Sequence, residues 1–237
     1  LLAMLLSWPI KDAVIIPTSD LFVNFLQSNQ AELKGLFSFV LPAGTLSSGL
    51  IDKQQEVDIV APFVILPKTV TKLPESAEAL LADIQLPIII KPRSNELNHI
   101  GKKNIQIYSQ EELTQFYRKY SGSLDYCIAQ ELIIGDDSNL WVCNCTFDQT
   151  SDLVNAFTFQ RLQLTPPHFC VTCYAKSRYN AEVISQVKQL GKGLGYVGPA
   201  MVEFKLDDRD GLYKYIEINP RLGLCNYFDT SCGKNNV

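Results

Sequence analysis

The sequence is poor in histidine, in net basic charge and in long apolar runs, and each shortage narrows the range of functions. Only 2 histidines occur in 237 residues, which disfavours zinc sites built from His and Cys pairs. A net charge of −4 argues against a broad nucleic-acid interface, which needs a basic surface. The apolar opening at residues 1–6 is too short to span a bilayer and lacks the basic leading region of a signal peptide. We therefore expect no membrane span, and no nucleic acid as the main partner.

The composition is that of an ordinary globular protein, with 46% hydrophobic and 19% charged residues, and it predicts one or two domains. Seven cysteines form an odd set, and most lie in apolar, strand-like runs, which favours reduced, buried thiols in a cytoplasmic protein. Cys170 and Cys173 form a CxxC pair, but no second ligand pair at zinc spacing accompanies it. Because the sequence opens without Met and stops without a closing element, we expect both ends to lie inside a longer chain.

Hydrophobic periodicity predicts an α+β fold with antiparallel sheets. The predicted strands span residues 13–16, 86–92, 104–108, 126–134, 140–147, 153–164, 169–174, 201–206 and 213–219. The predicted helices span residues 21–33, 46–60, 76–84, 109–120 and 180–194. A domain boundary is expected between residues 42 and 48, and a change of lobe near Gly122.

The last two predicted strands each carry a glutamate, Glu203 and Glu217. If Asp207 pairs with Tyr213 across the turn between the strands, Glu203 lies directly opposite Glu217. Like charges opposite each other repel, since their Cβ atoms are only about 5 Å apart. The pairing therefore predicts a positive group between the two carboxylates.

Strand alternation places Asn219 and Tyr215 on the face of Glu217, and Lys205 on the face of Glu203. Carboxylate and amide oxygens are hard ligands that suit Mg²⁺, which prefers to share its coordination with substrate phosphates. The alternative is that both glutamates point into water and that Lys205 neutralises them.

Three cations accompany this pattern. Lys91 ends a strand that is otherwise apolar, and beside a metal site it would bind phosphate oxygens; in isolation, such a lysine more often extends its ammonium to the surface. Arg221 follows Asn219 by two residues, and a guanidinium beside a metal indicates a bound polyphosphate or acyl phosphate. Lys53, taken alone, would be a charge on a helix surface.

The segment at residues 128–137 combines an apolar strand, a Gln-Glu pair and a Gly-Asp break. As structure alone it is a strand that leaves a sheet into a turn. As a binding segment, its unpaired backbone groups could recognise the edge of an adenine, and the carboxylate of Asp137 could bind ribose hydroxyls.

Taken in order, these motifs resemble those of the ATP-grasp enzymes, the superfamily that includes carboxylate-amine ligases, carbamoyl-phosphate synthetase and biotin carboxylase. The resemblance covers residues 45–224, and Glu-Ile-Asn-Pro-Arg at residues 217–221 is its most specific part. Residues 130–137 and 159–169 are most similar to ligases of the D-aspartate ligase group. The implied fold has two α/β lobes with antiparallel sheets that bind ATP between them.

The resemblance also implies a division of the chain. Residues 1–44 would be the remnant of a preceding Rossmann-like domain, and residues 45–237 the ATP-grasp domain. Within that domain, a small lobe would span about residues 68–122, and the nucleotide- and metal-binding lobe about residues 123–225.

The resemblance assigns a role to each residue that matches a family motif. Those implied to bind the nucleotide are Lys53, Lys91, Gln130, Glu131, Ile133 and Asp137. Those implied to hold Mg²⁺, or Mn²⁺ in its place, are Glu203, Glu217 and Asn219. Those implied to act in catalysis are Arg221, Arg161 and Lys91.

The implied activity is an ATP-dependent ligation in which a carboxylate forms an acyl phosphate and an amine, or a thiol, displaces the phosphate. Its partners would be small molecules, and a homodimer is compatible with the family. Two alternatives stay open: a non-catalytic or regulatory ATP-binding module, and a carboxylase or carbamoyl-phosphate-type enzyme. The loop at residues 93–103, which is usually glycine-rich in the family, contains only Gly101. The segment at residues 169–172 also departs from the family pattern near the acceptor site.

Overall fold

The computed structural model describes residues 1–10, 12–94, 96–165 and 171–236. Its helices are α1 (Leu2–Leu6), α2 (Asp20–Ser28), α3 (Gln30–Leu33), α4 (Gly44–Ile51), α5 (Lys53–Val60), α6 (Ala77–Asp83), α7 (Gln110–Tyr120), α8 (Ala181–Leu194) and α9 (Asn226–Ser231). Its strands are β1 (Ala13–Val14), β2 (Phe37–Ser38), β3 (Thr69–Val70), β4 (Ile88–Pro92), β5 (Ile105–Ile107), β6 (Cys127–Glu131), β7 (Leu140–Phe147), β8 (Leu153–Thr165), β9 (Val171–Ser177), β10 (Gly198–Leu206) and β11 (Tyr213–Asn219). Short 3₁₀ helices span Ser121–Tyr126 and Asp137–Asn139.

The larger sheet has five strands in the order β11-β10-β7-β8-β9, and all neighbouring pairs are antiparallel. The alternation in β10 buries Val202 and Phe204 on one face, where they join a core that includes Val187 of α8. Glu203 and Lys205 therefore lie on the opposite face, away from α8. This second face carries the polar side chains of interest.

The smaller sheet has four strands in the order β3-β6-β4-β5. Ile88 and Ile90 of β4 are buried against α6 and α7 through Leu80 and Leu113, which form a second core. Strand β6 pairs with β3 and β4, so the smaller sheet extends to Glu131, beyond the lobe change expected near residue 122. The mixed architecture with antiparallel sheets agrees with the predicted fold class.

The N-terminal residues form a third, smaller core around Leu26, Leu33 and Phe37. Its two short strands, β1 and β2, are parallel to each other, with Ala13 opposite Phe37. The origin of this unit in a Rossmann-like domain stays a prediction.

The pairing of β10 with β11 confirms that Glu203 lies opposite Glu217, but the predicted register at the turn is wrong by one residue. Leu206, not Asp207, pairs with Tyr213, because a β-bulge between Glu203 and Phe204 leaves Ile216 of β11 without a partner in β10. The bulge reverses the alternation in β11. Tyr215 consequently lies in the core with Phe204 and not on the face of Glu217.

The helix predicted over residues 46–60 is two helices, because the backbone at Asp52 is extended (φ −88°, ψ 109°). Asp52 Oδ1 accepts a hydrogen bond from the backbone N–H of Gln54, so Asp52 is the N-cap of α5. The same carboxylate binds the guanidinium of Arg93 at 2.6 Å. This contact holds the first residue of the polar loop, which follows β4, next to the start of α5.

None of the helices in the described ranges is long and apolar enough to cross a membrane. Cys127, Cys143 and Cys145 are buried free thiols, whereas Cys173 and Cys232 are exposed, so the expectation of buried thiols is confirmed only for the first three. Cys170, and with it the CxxC pair, lies outside the described residues, as does the Pro-Pro-His-Phe segment at residues 166–169 that contributes to the resemblance.

Candidate active site

A cleft between the two sheets brings the two predicted phosphate-binding lysines together. Lys53 begins α5, which packs on the larger sheet, and Lys91 lies in β4 of the smaller sheet. Other parts of the cleft wall come from α5, from the linker after it and from both sheets: Glu56, Val57, Leu66, Ile128, Gln130, Tyr215 and Ile216. The cleft is therefore built by elements that are far apart in the sequence.

The two facing glutamates each bind a cation of the chain. Glu217 Oε2 lies 2.7 Å from Lys53 Nζ, and Glu203 Oε2 lies 2.8 Å from Arg161 Nη1. All four side chains are at least three-quarters buried. Each glutamate is thus paired with its own cation, and Lys205 is not the residue that neutralises them. A positive group between the two carboxylates stays a prediction.

The charges of these paired side chains shift one another's pKa values. The charge of Lys53 holds the pKa of Glu217 well below its usual range, whereas burial, and then the charge of Glu217, raises the pKa of Glu203. Burial alone would lower the pKa of Lys53, but the charges of Glu217 and Glu56 outweigh it and raise that pKa. The glutamate pair therefore depends on its cations to stay ionised.

Lys91 lies in a different electrostatic environment. Its ammonium donates a hydrogen bond to Gln130 Oε1 at 2.7 Å, and Gln130 Nε2 donates to Thr69 Oγ1 at 3.0 Å. Burial and the nearby charge of Lys53 lower the pKa of Lys91 to about 8. Two ammonium groups that line one cleft favour an anion such as a phosphate between them.

The predicted adenine-binding segment passes between the sheets. The backbone N–H of Glu131 donates to Lys68 O at 2.8 Å, and its carboxylate forms an ion pair with Arg209 at 2.6 Å, so this side chain is directed to the β10–β11 turn. Ile133 is buried. Asp137 begins the second 3₁₀ helix. Burial lowers the pKa of Lys205, and the nearby charge of Asp137 opposes this shift.

Arg221 and Asn219 lie together, as the sequence predicts. Arg221 Nη2 donates to Asn219 Oδ1 at 3.0 Å, and Arg221 Nε donates to Asp20 Oδ1 at 2.8 Å. Asp20 is the first residue of α2 and is thus a contribution of the N-terminal unit. The amide nitrogen of Asn219 is buried, and the described residues offer it no hydrogen-bond partner. This NH₂ group can therefore still donate a hydrogen bond to an acceptor.

Three residues of this region were not identified from the sequence. Glu56 contacts the cluster from α5, Asp20 orients Arg221, and the charge of Lys103 at the end of the polar loop lowers the pKa of Glu217. The spacing of Lys53 and Glu56, one helical turn apart, could have indicated the first contact. The roles of Asp20 and Lys103 depend on tertiary contacts, which no local sequence pattern indicates.

The donor chemistry of Glu203, Glu217 and Asn219 fits Mg²⁺, since two carboxylates and an amide are hard oxygen ligands. No cluster of three or more His, Cys, Asp or Glu side chains suited to a metal occurs in the part of the chain that the structure describes. Two carboxylates and one amide oxygen suit a metal that completes its coordination with phosphate oxygens and water. The assignment of these residues to Mg²⁺ and ATP stays a prediction.

No protein-family model matches the chain. It is 26% identical over 243 residues to D-aspartate ligase of Enterococcus faecium (strain Aus0004), with 95% of this chain and 57% of that protein covered. Among solved structures, it is similar to the biotin carboxylase domain of 2-oxoglutarate carboxylase from Hydrogenobacter thermophilus, in complex with MgADP, ADP and bicarbonate (TM-score 0.66, 14% identity, 89% of this chain and 48% of that chain). It is also similar to an L-amino acid ligase from Bacillus licheniformis (TM-score 0.59, 16% identity, 88% and 48%).

The chain thus spans little more than half the length of its curated relative and about half of these solved structures. The likeness to the solved structures nevertheless covers 88–89% of this chain. The chain therefore shares the fold of these solved structures, which confirms the ATP-grasp fold class predicted from its sequence.

Proposed function

We propose that this chain is the nucleotide-binding and catalytic part of an ATP-dependent ligase that joins a small carboxylate to an amine through an acyl phosphate. The observation that carries the proposal is that Lys53 and Lys91 line one cleft between the two sheets, and that Lys53 binds Glu217. Glu203 lies opposite Glu217 in the neighbouring strand. The similarity to D-aspartate ligase and to an L-amino acid ligase supports an amide-forming reaction.

ATP and Mg²⁺ are the cofactors of the proposal, and a relative in complex with MgADP supports both. Glu203, Glu217 and Asn219 would hold the metal, which when bound supplies charge neutralisation to the phosphates. Gln130, Glu131, Ile133 and Asp137 would contact the nucleoside. Mn²⁺ offers the same coordination chemistry and serves as a spectroscopic substitute.

The side chains of the cleft would act mainly by positioning and by charge. Lys53 and Lys91 would bind phosphate oxygens. Lys53 would give up its contact with Glu217 to do so. A carboxylate oxygen of the substrate attacks the γ-phosphorus and ADP leaves. The amine nitrogen then attacks the acyl carbon and phosphate leaves, with the amine proton passing to phosphate or water. Arg221 and Arg161 would stabilise the oxyanion of this second step.

The remaining expectations belong to the same proposal. They are the division at residues 44 and 45, a cytoplasmic location, small-molecule partners in place of nucleic acid, and a homodimer as one compatible state. The hypotheses of a carboxylase and of a non-catalytic ATP-binding module are less favoured, because the curated relative is a ligase.

The test is ADP formation by the purified protein with ATP and Mg²⁺, screened across amino acids and small dicarboxylates singly and in pairs. We expect ADP release that depends on one carboxylate and one amine, with a product lighter by one water than their sum in mass spectrometry. Asp152→Asn, at an exposed ion pair with Lys192, is the matched control and should leave the rate unchanged. ADP release that needs only bicarbonate, or thermal stabilisation by ATP with no turnover under any condition, would exclude a ligase.

A further inference from the structure

Glu56 is a buried carboxylate beside the cleft, and neither the sequence motifs nor the proposed reaction gives it a role. It lies in α5 and is only 3% exposed. Its Oε1 accepts two hydrogen bonds, one from the hydroxyl of Tyr215 at 2.6 Å and one from the backbone N–H of Ile218 at 3.0 Å. A carboxylate is buried at this depth only when its oxygens are paired.

These two donors flank the β-bulge of β11. Tyr215 precedes the unpaired Ile216, and Ile218 lies between Glu217 and Asn219, the proposed metal ligands. Because β11 is the edge strand of the larger sheet, its outer N–H groups need partners from outside the sheet. Glu56 supplies the partner for Ile218, and so it fixes the backbone between the two ligands.

The second oxygen of Glu56 relates the strand to the phosphate-binding lysine. Glu56 Oε2 lies 3.9 Å from Lys53 Nζ, one turn earlier in the same helix. Lys53 in turn binds Glu217. One side chain thereby joins the helix that carries a proposed phosphate ligand to the strand that carries two proposed metal ligands.

We propose that Glu56 is a positioning residue for the metal site: through Tyr215 and the backbone of Ile218, it holds the bulged strand in the shape that directs Glu217 and Asn219 into the cleft. The inference rests on the proposed function, because it requires that these two residues bind the metal. It does not require that Glu56 touch the metal or the nucleotide. Partners behind metal ligands typically contribute about 10- to 100-fold to metal affinity.

The test compares Glu56→Gln with Glu56→Leu. Gln keeps an oxygen that can accept from Tyr215 and Ile218, whereas Leu fills similar space with no acceptor. Mn²⁺ binding in the presence of ADP is measured by electron paramagnetic resonance, and ADP binding without metal by calorimetry. We expect Leu to weaken Mn²⁺ binding about 10- to 100-fold and Gln to restore it to within about 3-fold of the parent. ADP binding without metal should change by less than about 3-fold in both variants, a split that a general loss of structure would not produce.

Tyr215→Phe serves as a milder variant if Leu at position 56 prevents folding. It removes one of the two donors and should weaken Mn²⁺ binding several-fold. Tyr196→Phe is its matched control, since the Tyr196 hydroxyl is equally deep and donates to Pro199 O at 2.9 Å, away from the cleft. Folded Glu56→Leu or Tyr215→Phe protein that binds Mn²⁺ as tightly as the parent would overturn the role of Glu56. A parent protein that binds no Mn²⁺ with ADP would instead overturn the proposed function, and this inference with it.

Discussion

Replacing Glu217 by Gln should destabilise the protein in the absence of metal as well as abolish its turnover of ATP. The charge of Glu217 lies 2.7 Å from Lys53, and the two side chains are 22% and 25% exposed. Removing one partner of a fully buried pair costs about 3–5 kcal/mol. Because these groups retain some solvent, Gln still offers an acceptor and Glu56 stays 3.9 Å from Lys53, we expect a loss of about 1–3 kcal/mol.

This change in the free energy of unfolding has the opposite sign to that expected for an unbalanced pair of glutamates. If Glu203 and Glu217 faced each other with no cation, removing one charge would relieve repulsion and stabilise the metal-free protein. Lys53 and Arg161 make the cluster balanced, so the substitution leaves a buried ammonium short of a partner.

The assay is urea unfolding in the presence of a chelator, followed by the fluorescence of the buried Trp141. Asp152→Asn removes one carboxylate of a largely exposed ion pair and should stay within about 0.5 kcal/mol of the parent. Unchanged or increased stability of Glu217→Gln would show that Lys53 does not neutralise Glu217 in solution. Turnover of ATP at the parent rate would refute the assignment of Glu217 to the metal.

Three further predictions concern groups outside this pair. Asp20→Asn should lower kcat about 10-fold with little change in the KM for ATP, measured by steady-state ADP release, because it weakens the contact that orients Arg221; a change in KM alone would contradict this. Since Lys91 has a pKa of about 8, metal-free ADP affinity measured by calorimetry should fall as pH rises through 8, and Lys91→Arg should remove that fall; identical pH profiles would count against a phosphate contact. Burial raises the pKa of Asp229 to about 6, above its unfolded value of about 3.9, so the folded state binds the extra proton between these values. The contribution of Asp229 to stability should therefore decline by about 1–3 kcal/mol as pH rises from 4 to 7, and Asp229→Asn should remove this component from the pH dependence of urea unfolding; a variant profile parallel to that of the parent would refute the shift.

The sequence predicts those parts of the site that depend on local alternation. Facing positions for Glu203 and Glu217 follow from the period of two in β10 and β11, and the bounds of β7 and β11 agree with those predicted. The bulge at Ile216 does not follow, because no glycine or other turn residue marks it. Its position is fixed by contacts to Glu56, which is 159 residues from Tyr215 in the sequence.

The break at Asp52 shows a similar limit. Residues 46–60 have a continuous helical pattern, and Asp is tolerated within a helix, so periodicity favours one helix. The structure ends α4 at Ile51 because Asp52 caps α5 and binds Arg93, 41 residues later. A side chain that competes for the backbone can begin a new helix when a tertiary partner holds it in place.

The contact at Glu56 also has a consequence for how stability and function combine in this fold. An edge strand is usually protected by charge, by a bulge or by a covering segment, and β11 uses all three, since Glu56 accepts from Ile218, Ile216 is bulged, and Ile65 O accepts from the N–H of Tyr215 at 2.8 Å. The same contacts fix the strand that carries Glu217 and Asn219. Substitutions at Glu56 should consequently lower stability and metal affinity together. Those at Asp20, which touches Arg221 from another element, should not lower the two together. The closure of this sheet edge and the geometry of the proposed metal site are therefore one structural requirement.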